Sequence, residues 1–281
     1  MMNNESRADF SVTGRDSGTC IVCPEHGLPI LLFKKNGYSI SRCDRCGVIM
    51  SGGQFVPDQY EDKDYYTMSR SSVEALYDQW AFRWRWILGS IASVRPGNSL
   101  LDVGAGNGLF VKIAREEFGY DAEGIEFSQV QCEFAERVLG QRLLNASLSE
   151  IDREFHIVTC FNVIEHVFDP LQMAREIAAH VRRGGLAIVT TPNPDCIKAR
   201  VKGLARWNMI SPPHHLNIFS REALELTLRH AGLNPTRYAT LSTYINALVR
   251  FRGGRELPRR IAFKALKLFG LGADHFVVAE K

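Results

Sequence analysis

The sequence lacks any apolar run close to the roughly 18 residues that a membrane-spanning helix requires. It also lacks a strong net charge, because 34 lysines and arginines against 31 aspartates and glutamates leave only +3. No repeat is evident, and the first ten residues contain no apolar segment typical of an export signal. These absences argue against membrane insertion, export and a dominant nucleic-acid surface, and they favour a cytoplasmic protein.

The composition is that of a globular protein. The 281 residues are 45% hydrophobic and 23% charged, close to the usual averages. A chain of this length predicts about two domains and can bury a full α/β core. It also contains seven cysteines. Since disulfides are rare in a reducing compartment, metal binding or inert burial are the expected fates of these thiols.

Four of the cysteines form two C-x2-C knuckles separated by 19 residues: Cys20, Cys23, Cys43 and Cys46. Residues 28–35 and 38–42 read as strands, and Asn36-Gly37 between them is a strong hairpin signal. The hairpin would return the second knuckle to the first, so that four thiolates can surround one tetrahedral ion. Gly47 permits the tight backbone that follows the second knuckle.

Zinc is the favoured metal for such a site, with a rubredoxin-like iron and an empty cluster as the alternatives. Four protein ligands leave no open coordination position, so the ion is predicted to be structural.

The three remaining cysteines are not spaced along the sequence as metal ligands are. Cys132 and Cys160 are expected to be buried inert thiols, whereas Cys196 falls in a predicted loop and could be reactive.

Strand and helix signals alternate from residue 98 onward, which predicts a mostly parallel sheet covered on both faces. Residues 1–17 are expected to be a disordered tail, and 61–97 a helical connector after a metal ribbon over 18–60. The predicted strands are 100–103, 122–126, 156–161, 186–190 and 275–279, and the predicted helices are 109–118, 128–139, 169–181 and 220–231.

A glycine turn follows the first of these strands, where Leu100–Val103 leads into Gly104-Ala105-Gly106-Asn107-Gly108. Glycines at such a turn allow a ligand to approach the backbone closely. The next strand ends in Glu126, 18 residues after Gly108. A carboxylate at that place can accept hydrogen bonds from both ribose hydroxyls. The two features predict a nucleoside-binding crevice at the carboxyl ends of parallel strands.

Two ligand classes compete for this crevice. Dinucleotide-binding turns read G-x-G-x-x-G and hold a pyrophosphate at the helix N-terminus. This chain instead reads G-x-G-x-G and places Asp102 just before the turn. An acidic side chain there suits a ligand with a cationic amine and is unfavourable beside a pyrophosphate.

Several motifs together make the chain similar to class I S-adenosylmethionine-dependent methyltransferases, in particular the bacterial small-molecule branch with an N-terminal four-cysteine zinc ribbon. The motifs are the LDVGAGNG turn, Gly124-Ile125-Glu126, Asn162 to Val167 (NVIEHV), Gly184-Gly185, Thr191-Pro192-Asn193 and His215 to Ser220 (HLNIFS). The resemblance implies a Rossmann-like seven-stranded sheet over 98–281, with 192–219 as a substrate-covering insertion.

The same resemblance implies a set of residues that bind S-adenosylmethionine. The turn would hold the methionine end, Glu126 the ribose, Phe127 and the chain around Ser147 the adenine, and Asn162 would lie beneath the cofactor. The cofactor-binding set is Asp102, Gly104, Ala105, Gly106, Gly108, Glu126, Phe127, Ser147 and Asn162.

Methyl transfer is an in-line displacement, for which alignment of the reactants alone can supply roughly 7–11 kcal/mol. A general base is needed only when the nucleophile arrives protonated, as a hydroxyl does, and histidine is the best candidate near neutral pH. The candidates are His166, after the fourth core strand, and His214 and His215 in the insertion. Each could instead serve only to satisfy backbone groups.

The expected substrate is a small molecule, most plausibly a sugar hydroxyl or a natural-product intermediate. Basic residues such as Arg200, Lys202 and Arg206, and more between 250 and 267, are either a solvated helix face or a site for an anionic handle, such as a nucleotide diphosphate or a carrier. A nucleic-acid methyltransferase is one alternative, although the weak charge and the lack of a [DN]-P-P-[FYW] motif argue against it. A catalytically silent zinc-ribbon interaction protein is the other.

Overall fold

The computed structural model describes residues 13–15, 18–23, 25, 27–55, 73–92, 97–242 and 269–281. Most of the predicted tail, part of the predicted connector and most of the predicted basic region lie outside these residues. The tail prediction is wrong at Thr13–Arg15, because these three residues form a strand. No helix in the described ranges is long and apolar enough to cross a membrane.

The N-terminal part is a small antiparallel sheet built on the cysteine knuckles. Its strands are β1 (Thr13–Arg15), β2 (Pro29–Lys35), β3 (Tyr38–Cys43) and β4 (Ile49–Phe55), in the order β1-β4-β3-β2. The predicted hairpin turn is confirmed: Asn36 and Gly37 have φ angles of 52° and 84°, as a turn with two left-handed central residues requires.

The larger sheet confirms the α/β class. Its strands are β5 (Ser99–Val103), β6 (Asp121–Ile125), β7 (Phe155–Phe161), β8 (Val181–Pro192), β10 (Asn234–Leu241) and β11 (Asp274–Glu280). The order is β10-β11-β8-β7-β5-β6. Strands β5 to β8 pair in parallel, and β11 is antiparallel to both β8 and β10.

The described residues supply six strands to this sheet, against the seven expected. Beyond β6, Ile125 forms a single parallel bridge with Leu144. The bridge consists of two hydrogen bonds of 2.9 Å each, from Glu126 N to Leu144 O and from Leu144 N to Gly124 O. The expected seventh strand, at the edge beyond β6, is therefore reduced to this one bridge. The bridge still holds Leu144 against the end of β6.

Helices cover both faces of the larger sheet. They are α1 (Val73–Leu76), which continues through a π-helical turn into α2 (Phe82–Ala92), then α3 (Leu109–Phe118), α4 (Gln129–Leu139), α5 (Pro170–His180), α6 (Ile197–Lys202) and α7 (Arg221–His230). Ser128, Asp169 and Ser220 cap α4, α5 and α7 through their side-chain oxygens. Apolar residues of α2, α3 and α4 pack in one cluster, and those of α5 and α7 in another.

Strand β9 (Asn217–Ile218), which lies in the predicted insertion, adds a fifth strand to the small sheet. Met50 and Ile49 of β4 pair with Asn217 and Ile218 in antiparallel register. Beside this joint, Ile40 and Ile49 of the small sheet pack in one buried cluster whose other members come from the insertion and β9: Cys196, Ala199, Trp207, Ile210 and Ile218. The insertion is thus held from one side by the cysteine-bearing sheet.

Candidate active site

The glycine turn forms at the carboxyl end of β5, as predicted. The backbone N–H groups of Gly104 and Ala105 both donate to the carbonyl oxygen of Ile125 at 2.9 Å. Gly104 has a φ of 69°, and a Cβ atom there would lie 2.4 Å from Val163 Cγ2. Glycine is therefore required at 104, both for its φ angle and for the close approach of the loop after β7. Gly108 closes the turn as the N-cap of α3.

Asp102 lies directly before the turn and is buried. Its Oδ1 atom accepts a hydrogen bond from Thr159 Oγ1 at 2.6 Å. Burial raises the pKa of this carboxyl to about 7, and the hydrogen bond from Thr159 offsets only part of that effect. An adjacent cation would favour the ionised form, since an opposite charge lowers the pKa of a carboxyl.

Glu126 follows β6 and points back at the turn. Its Oε2 accepts from Gly106 N and its Oε1 from Ser128 N, each at 2.8 Å. The ring of the next residue, Phe127, is 68% exposed. A fixed carboxylate beside an exposed aromatic ring can recognise a ribose through its hydroxyls and a base through its flat face.

Asn145 supports this arrangement and was missed by the sequence reasoning. Its side-chain amide donates to the carbonyl oxygens of Glu126 at 3.0 Å and Phe127 at 2.8 Å. Close by, Ser147 begins a short 3-10 turn, and its hydroxyl lies 2.7 Å from Glu150 Oε2. The hydroxyl of Ser147 is thus hydrogen-bonded within its own turn.

A buried arginine contacts Asn162, which directly follows β7. Arg83 of α2 pairs with Asp274 at 2.5 Å and donates to Thr190 Oγ1 at 3.2 Å and Asn162 Oδ1 at 3.3 Å. Asn162 has a φ of 55° and also accepts from Thr190 Oγ1 at 2.8 Å. The predicted site residue Asn162 is therefore held by the connector helix, a relationship that no motif in the sequence signals.

The loop after β7 and the insertion bring three titratable side chains together. The ligand-capable atoms of Glu165, His166 and His215 all lie within 4.8 Å of one another. The two imidazole rings meet edge to face, with centroids 4.7 Å apart. His214 contributes differently, because its carbonyl oxygen lies 2.7 Å from His166 Nδ1. Of the predicted histidines, the structure thus brings His166 and His215 together around Glu165.

Burial dominates the electrostatics of this cluster. It raises the pKa of Glu165 to about 8. It lowers the pKa of His166 to about 3, with a further contribution from the neighbouring His215, and it lowers the pKa of His215 as well. Both imidazoles are therefore neutral at physiological pH. Because a lowered pKa makes an imidazole a weaker base, each of these side chains is a poor proton acceptor.

The four predicted metal ligands lie together and are buried. The Sγ atoms are 3.6 Å apart for Cys20 and Cys46, 3.5 Å for Cys20 and Cys23, and 3.5 Å for Cys23 and Cys43. Four sulfurs around a zinc ion at about 2.3 Å would stand about 3.8 Å apart. A Cβ atom on Gly27 would lie 2.5 Å from Cys43 Sγ, so glycine keeps this space clear.

Cys196, by contrast, is buried at the start of α6 and its thiol accepts from Ala199 N, which corrects the expectation of a reactive loop thiol.

Comparison with known proteins yields a family match and several relatives. The family model of a methyltransferase domain matches residues 84–238, more than half of the chain. The ubiquinone biosynthesis O-methyltransferase of Alkalilimnicola ehrlichii is 28% identical over 185 residues, which cover 56% of this chain and 74% of that protein. The same-named protein of Coxiella burnetii is 31% identical over 105 residues. That match covers 34% of this chain, and the chain spans less than half, 44%, of the Coxiella protein.

Solved structures give the same fold. A chain from the complex between a Haloferax volcanii methyltransferase activator and a methyltransferase superposes with a TM-score of 0.56 at 15% identity, covering 80% of this chain and 99% of that one. A geranyl diphosphate methyltransferase in complex with GPP and sinefungin gives a TM-score of 0.54 at 21% identity, covering 73% and 80%. At these identities the likeness concerns the fold alone.

Proposed function

Because the chain belongs to the methyltransferase domain family, we propose that it transfers a methyl group from S-adenosylmethionine to a hydroxyl group of a small molecule. The observation that carries this proposal is the pair of carboxylates around the glycine turn. Asp102 is buried directly before the turn, and Glu126 is bonded to the N–H of Gly106 within it. The relatives named as O-methyltransferases support the choice of a hydroxyl acceptor.

The residues at the turn fit the charges and shape of this cofactor. The Asp102 carboxylate would pair with the cationic amino group of the methionine moiety. A dinucleotide would instead place an anionic pyrophosphate at the turn, which the carboxylate would repel. Glu126 would accept hydrogen bonds from the ribose hydroxyls while keeping its bonds to Gly106 and Ser128. The exposed Phe127 ring would cover one face of the adenine. When bound, S-adenosylmethionine supplies an activated methyl group on a sulfonium.

The acceptor side is assigned to the loop after β7 and to the insertion. Val163 packs against Gly104, so this loop adjoins the turn, and Glu165, His166 and His215 lie next along it. Alignment of the acceptor with the sulfonium is the main requirement of an in-line displacement. With a pKa of about 3, His166 would be a poor general base, so we assign His166 and His215 to orienting the acceptor.

The four-cysteine cluster is proposed to hold a structural zinc ion. All four ligand positions would be protein thiolates, so no position is left for a substrate. The N–H groups of Val22 and Cys23 donate to Cys20 Sγ at 3.4 Å, and such bonds stabilise a thiolate. The ion would fix the small sheet and, through β4, the insertion that pairs with it.

The finer identity of the substrate is also part of the proposal. A sugar or natural-product intermediate is favoured, and Arg200, Lys202 and Arg206 are exposed around α6, where they could contact an anionic group on it. Nucleic acid remains the alternative substrate class, and a silent interaction protein the alternative to an enzyme.

Calorimetry with S-adenosylmethionine tests the proposal directly. The wild-type protein should bind one equivalent, Asp102→Ala should lose most of the affinity, and the exposed Asp121→Asn should bind as the wild type does. A radiolabelled methyl group should then pass to a member of a panel of hydroxylated small molecules and not to RNA. Absence of binding would identify a silent scaffold, and labelled RNA would establish the nucleic-acid alternative.

A further inference from the structure

Asn162, the first residue after β7, has an unusual backbone conformation. Its φ is 55°, and within the described ranges the only other non-glycine residue with a positive φ is Asn36, in the hairpin turn. Such a φ is uncommon for a residue with a side chain, although asparagine adopts it more readily than most. It persists only where the surrounding structure holds it. We propose that a buried group of polar side chains holds Asn162 in this conformation and thereby positions the glycine turn that binds the cofactor.

The polar group that holds Asn162 is drawn from three elements: Arg83 of α2, Thr190 of β8 and Asp274 of β11. Asn162 Oδ1 accepts from Thr190 Oγ1 at 2.8 Å and from Arg83 Nη2 at 3.3 Å. Asn162 Nδ2 donates to Asp274 Oδ1 at 3.5 Å. The backbone N–H of Asn162 also donates to Thr190 O at 2.9 Å. A rotation of the backbone away from this φ would strain or break these bonds together.

The polar group is itself fixed and shielded from water. All three of its side chains are buried. Arg83 pairs with Asp274 at 2.5 Å, and its guanidinium lies 5.3 Å from the centroid of the Trp84 ring. A buried donor or acceptor that loses its partner incurs a large penalty. Asn162 therefore cannot turn away without leaving buried polar atoms unpaired, and its conformation is determined by residues far from it in sequence.

Val163 transmits this conformation to the glycine turn. A Cβ atom on Gly104 would lie 2.4 Å from Val163 Cγ2, so the valine side chain lies directly against the Gly104 backbone. The N–H of Gly104 in turn donates to Ile125 O at 2.9 Å. Because Val163 is the next residue in the chain, the direction in which the backbone leaves Asn162 determines where the valine lies. A change of φ at position 162 would therefore disturb the turn.

Asn162 is also connected with the acceptor side of the crevice. Its side chain hydrogen-bonds the Glu165 carboxyl, and its backbone hydrogen-bonds the His166 ring. Since its amide is already engaged within the protein, we assign Asn162 as a positioning residue that links the glycine turn to the acceptor loop. The effect on the cofactor rests on the proposed binding of S-adenosylmethionine, whereas the positioning of the turn does not.

Variants of Thr190 test the proposal with little change of shape. Thr190→Val removes the hydroxyl, and Thr190→Ser keeps it. Thr190→Val should weaken S-adenosylmethionine binding roughly fivefold or more, because the binding-competent conformer becomes a smaller fraction of the chains. Thr190→Ser should keep most of the affinity. Thr227→Val is the matched control, since the equally buried hydroxyl of Thr227 donates to Ala223 O within α7, and this variant should bind the cofactor as the wild type does.

Hydrogen–deuterium exchange of the cofactor-free protein follows the turn directly. The backbone N–H groups of Gly104 and Ala105 should exchange faster in Thr190→Val than in the wild type, because a turn that is less well supported opens more often. Thr227→Val should show the exchange of the wild type at these positions. The measurement needs no ligand.

A double-mutant cycle tests the route through Val163. Val163→Ala removes the contact with the turn and should itself weaken cofactor binding. In that background, Thr190→Val should reduce the affinity further by less than about twofold, because the two residues act through one contact. Calorimetry on the two single variants and the double variant completes the cycle.

Three outcomes would overturn the proposal. Thr190→Val could leave both the affinity and the exchange of the turn unchanged, Thr190→Ser could behave as Thr190→Val does, or the effects of Thr190→Val and Val163→Ala could multiply. A wild-type protein that binds no S-adenosylmethionine would instead count against the proposed function. The exchange measurement would still decide whether the polar group positions the turn.

Discussion

The hydroxyl of Ser220 donates a 2.5 Å hydrogen bond to the carbonyl oxygen of Cys46. Ser220 also caps α7 by accepting from Ala223 N at 3.0 Å, so one side chain ties the second cysteine knuckle to a helix of the larger domain. Nearby, Ser51 N donates to Leu216 O at 2.9 Å and Ser51 Oγ to His215 O at 3.2 Å. The cysteine-bearing sheet therefore holds the backbone of the candidate acceptor site.

Removal of the ribbon metal should consequently damage the acceptor side more than the cofactor side. We expect Cys43→Ser to weaken acceptor binding at least tenfold, because β4 would no longer hold β9 and His215. Binding of S-adenosylmethionine should change less than threefold, since the glycine turn has its own support from Ile125. Calorimetry measures each of these.

A milder pair of variants separates the effect of the Ser51–His215 hydrogen bond from the effect of metal loss. Ser51→Ala removes the hydrogen bond to His215 O, whereas Ser39→Ala removes an equivalent bond to Gly52 O inside the small sheet. The first should impair acceptor binding and the second should not. Equal effects from both would show that only the stability of the small sheet matters.

Cofactor binding should depend on pH through Asp102. Burial raises the pKa of its carboxyl to about 7, so below that pH the neutral form predominates and the attraction to a cationic amino group is lost. Affinity for S-adenosylhomocysteine should rise with pH up to about 7.5 and then level off, falling by as much as about tenfold per pH unit below 7. Calorimetry between pH 5.5 and 8 measures the slope.

Asp102→Asn serves as the control, because its weak binding should be nearly independent of pH. Glu126 must be included in the comparison, since burial raises the pKa of its carboxyl too. If Asp102→Asn retained the slope of the wild type, the titrating group would be Glu126 and the assignment of Asp102 would be wrong.

The sequence predicts the cofactor side well because its signals are local. Asp102, the glycines and Glu126 lie within one strand–turn–helix–strand unit, and the strand ends place them together by topology alone. The cysteine ligands are likewise defined by spacing and one hairpin. Such patterns need no knowledge of how distant elements pack.

The acceptor side depends on contacts between residues distant in sequence, which explains what was missed. Glu165 and His215 are brought together by an irregular insertion, and Arg83 meets Asp274 across 191 positions. Strand β10 was also not predicted; it begins with Asn234-Pro235 and has mostly exposed or half-buried residues, so it lacks the apolar signal of a core strand. The periodicity of apolar residues identifies the buried face of a helix or strand. It does not identify which buried charged side chains form a pair.

The Arg83–Asp274 pair should be essential for stability. Both side chains are largely buried, with exposures of 6% and 11%, so removing one partner leaves an uncompensated charge. We expect Arg83→Met to lower the free energy of unfolding by about 3–5 kcal/mol. Arg85 lies two residues further along the same helix, on its exposed side, and Arg85→Met breaks the pair with Glu117. This variant should cost less than about 1 kcal/mol. Urea denaturation of both variants provides the comparison.

Phe127 should contribute to cofactor affinity without contributing to the stability of the fold. Its ring is 68% exposed, so Phe127→Ala removes little buried surface and the midpoint of thermal unfolding should stay close to that of the wild type. An aromatic ring stacked on a base is worth about 1–3 kcal/mol, so affinity for S-adenosylmethionine should fall roughly tenfold or more. Phe269, which is 71% exposed, offers a matched control, and Phe269→Ala should bind normally. An unchanged affinity in Phe127→Ala would place the adenine elsewhere, whereas a large loss of thermal stability would show that the ring packs within the protein.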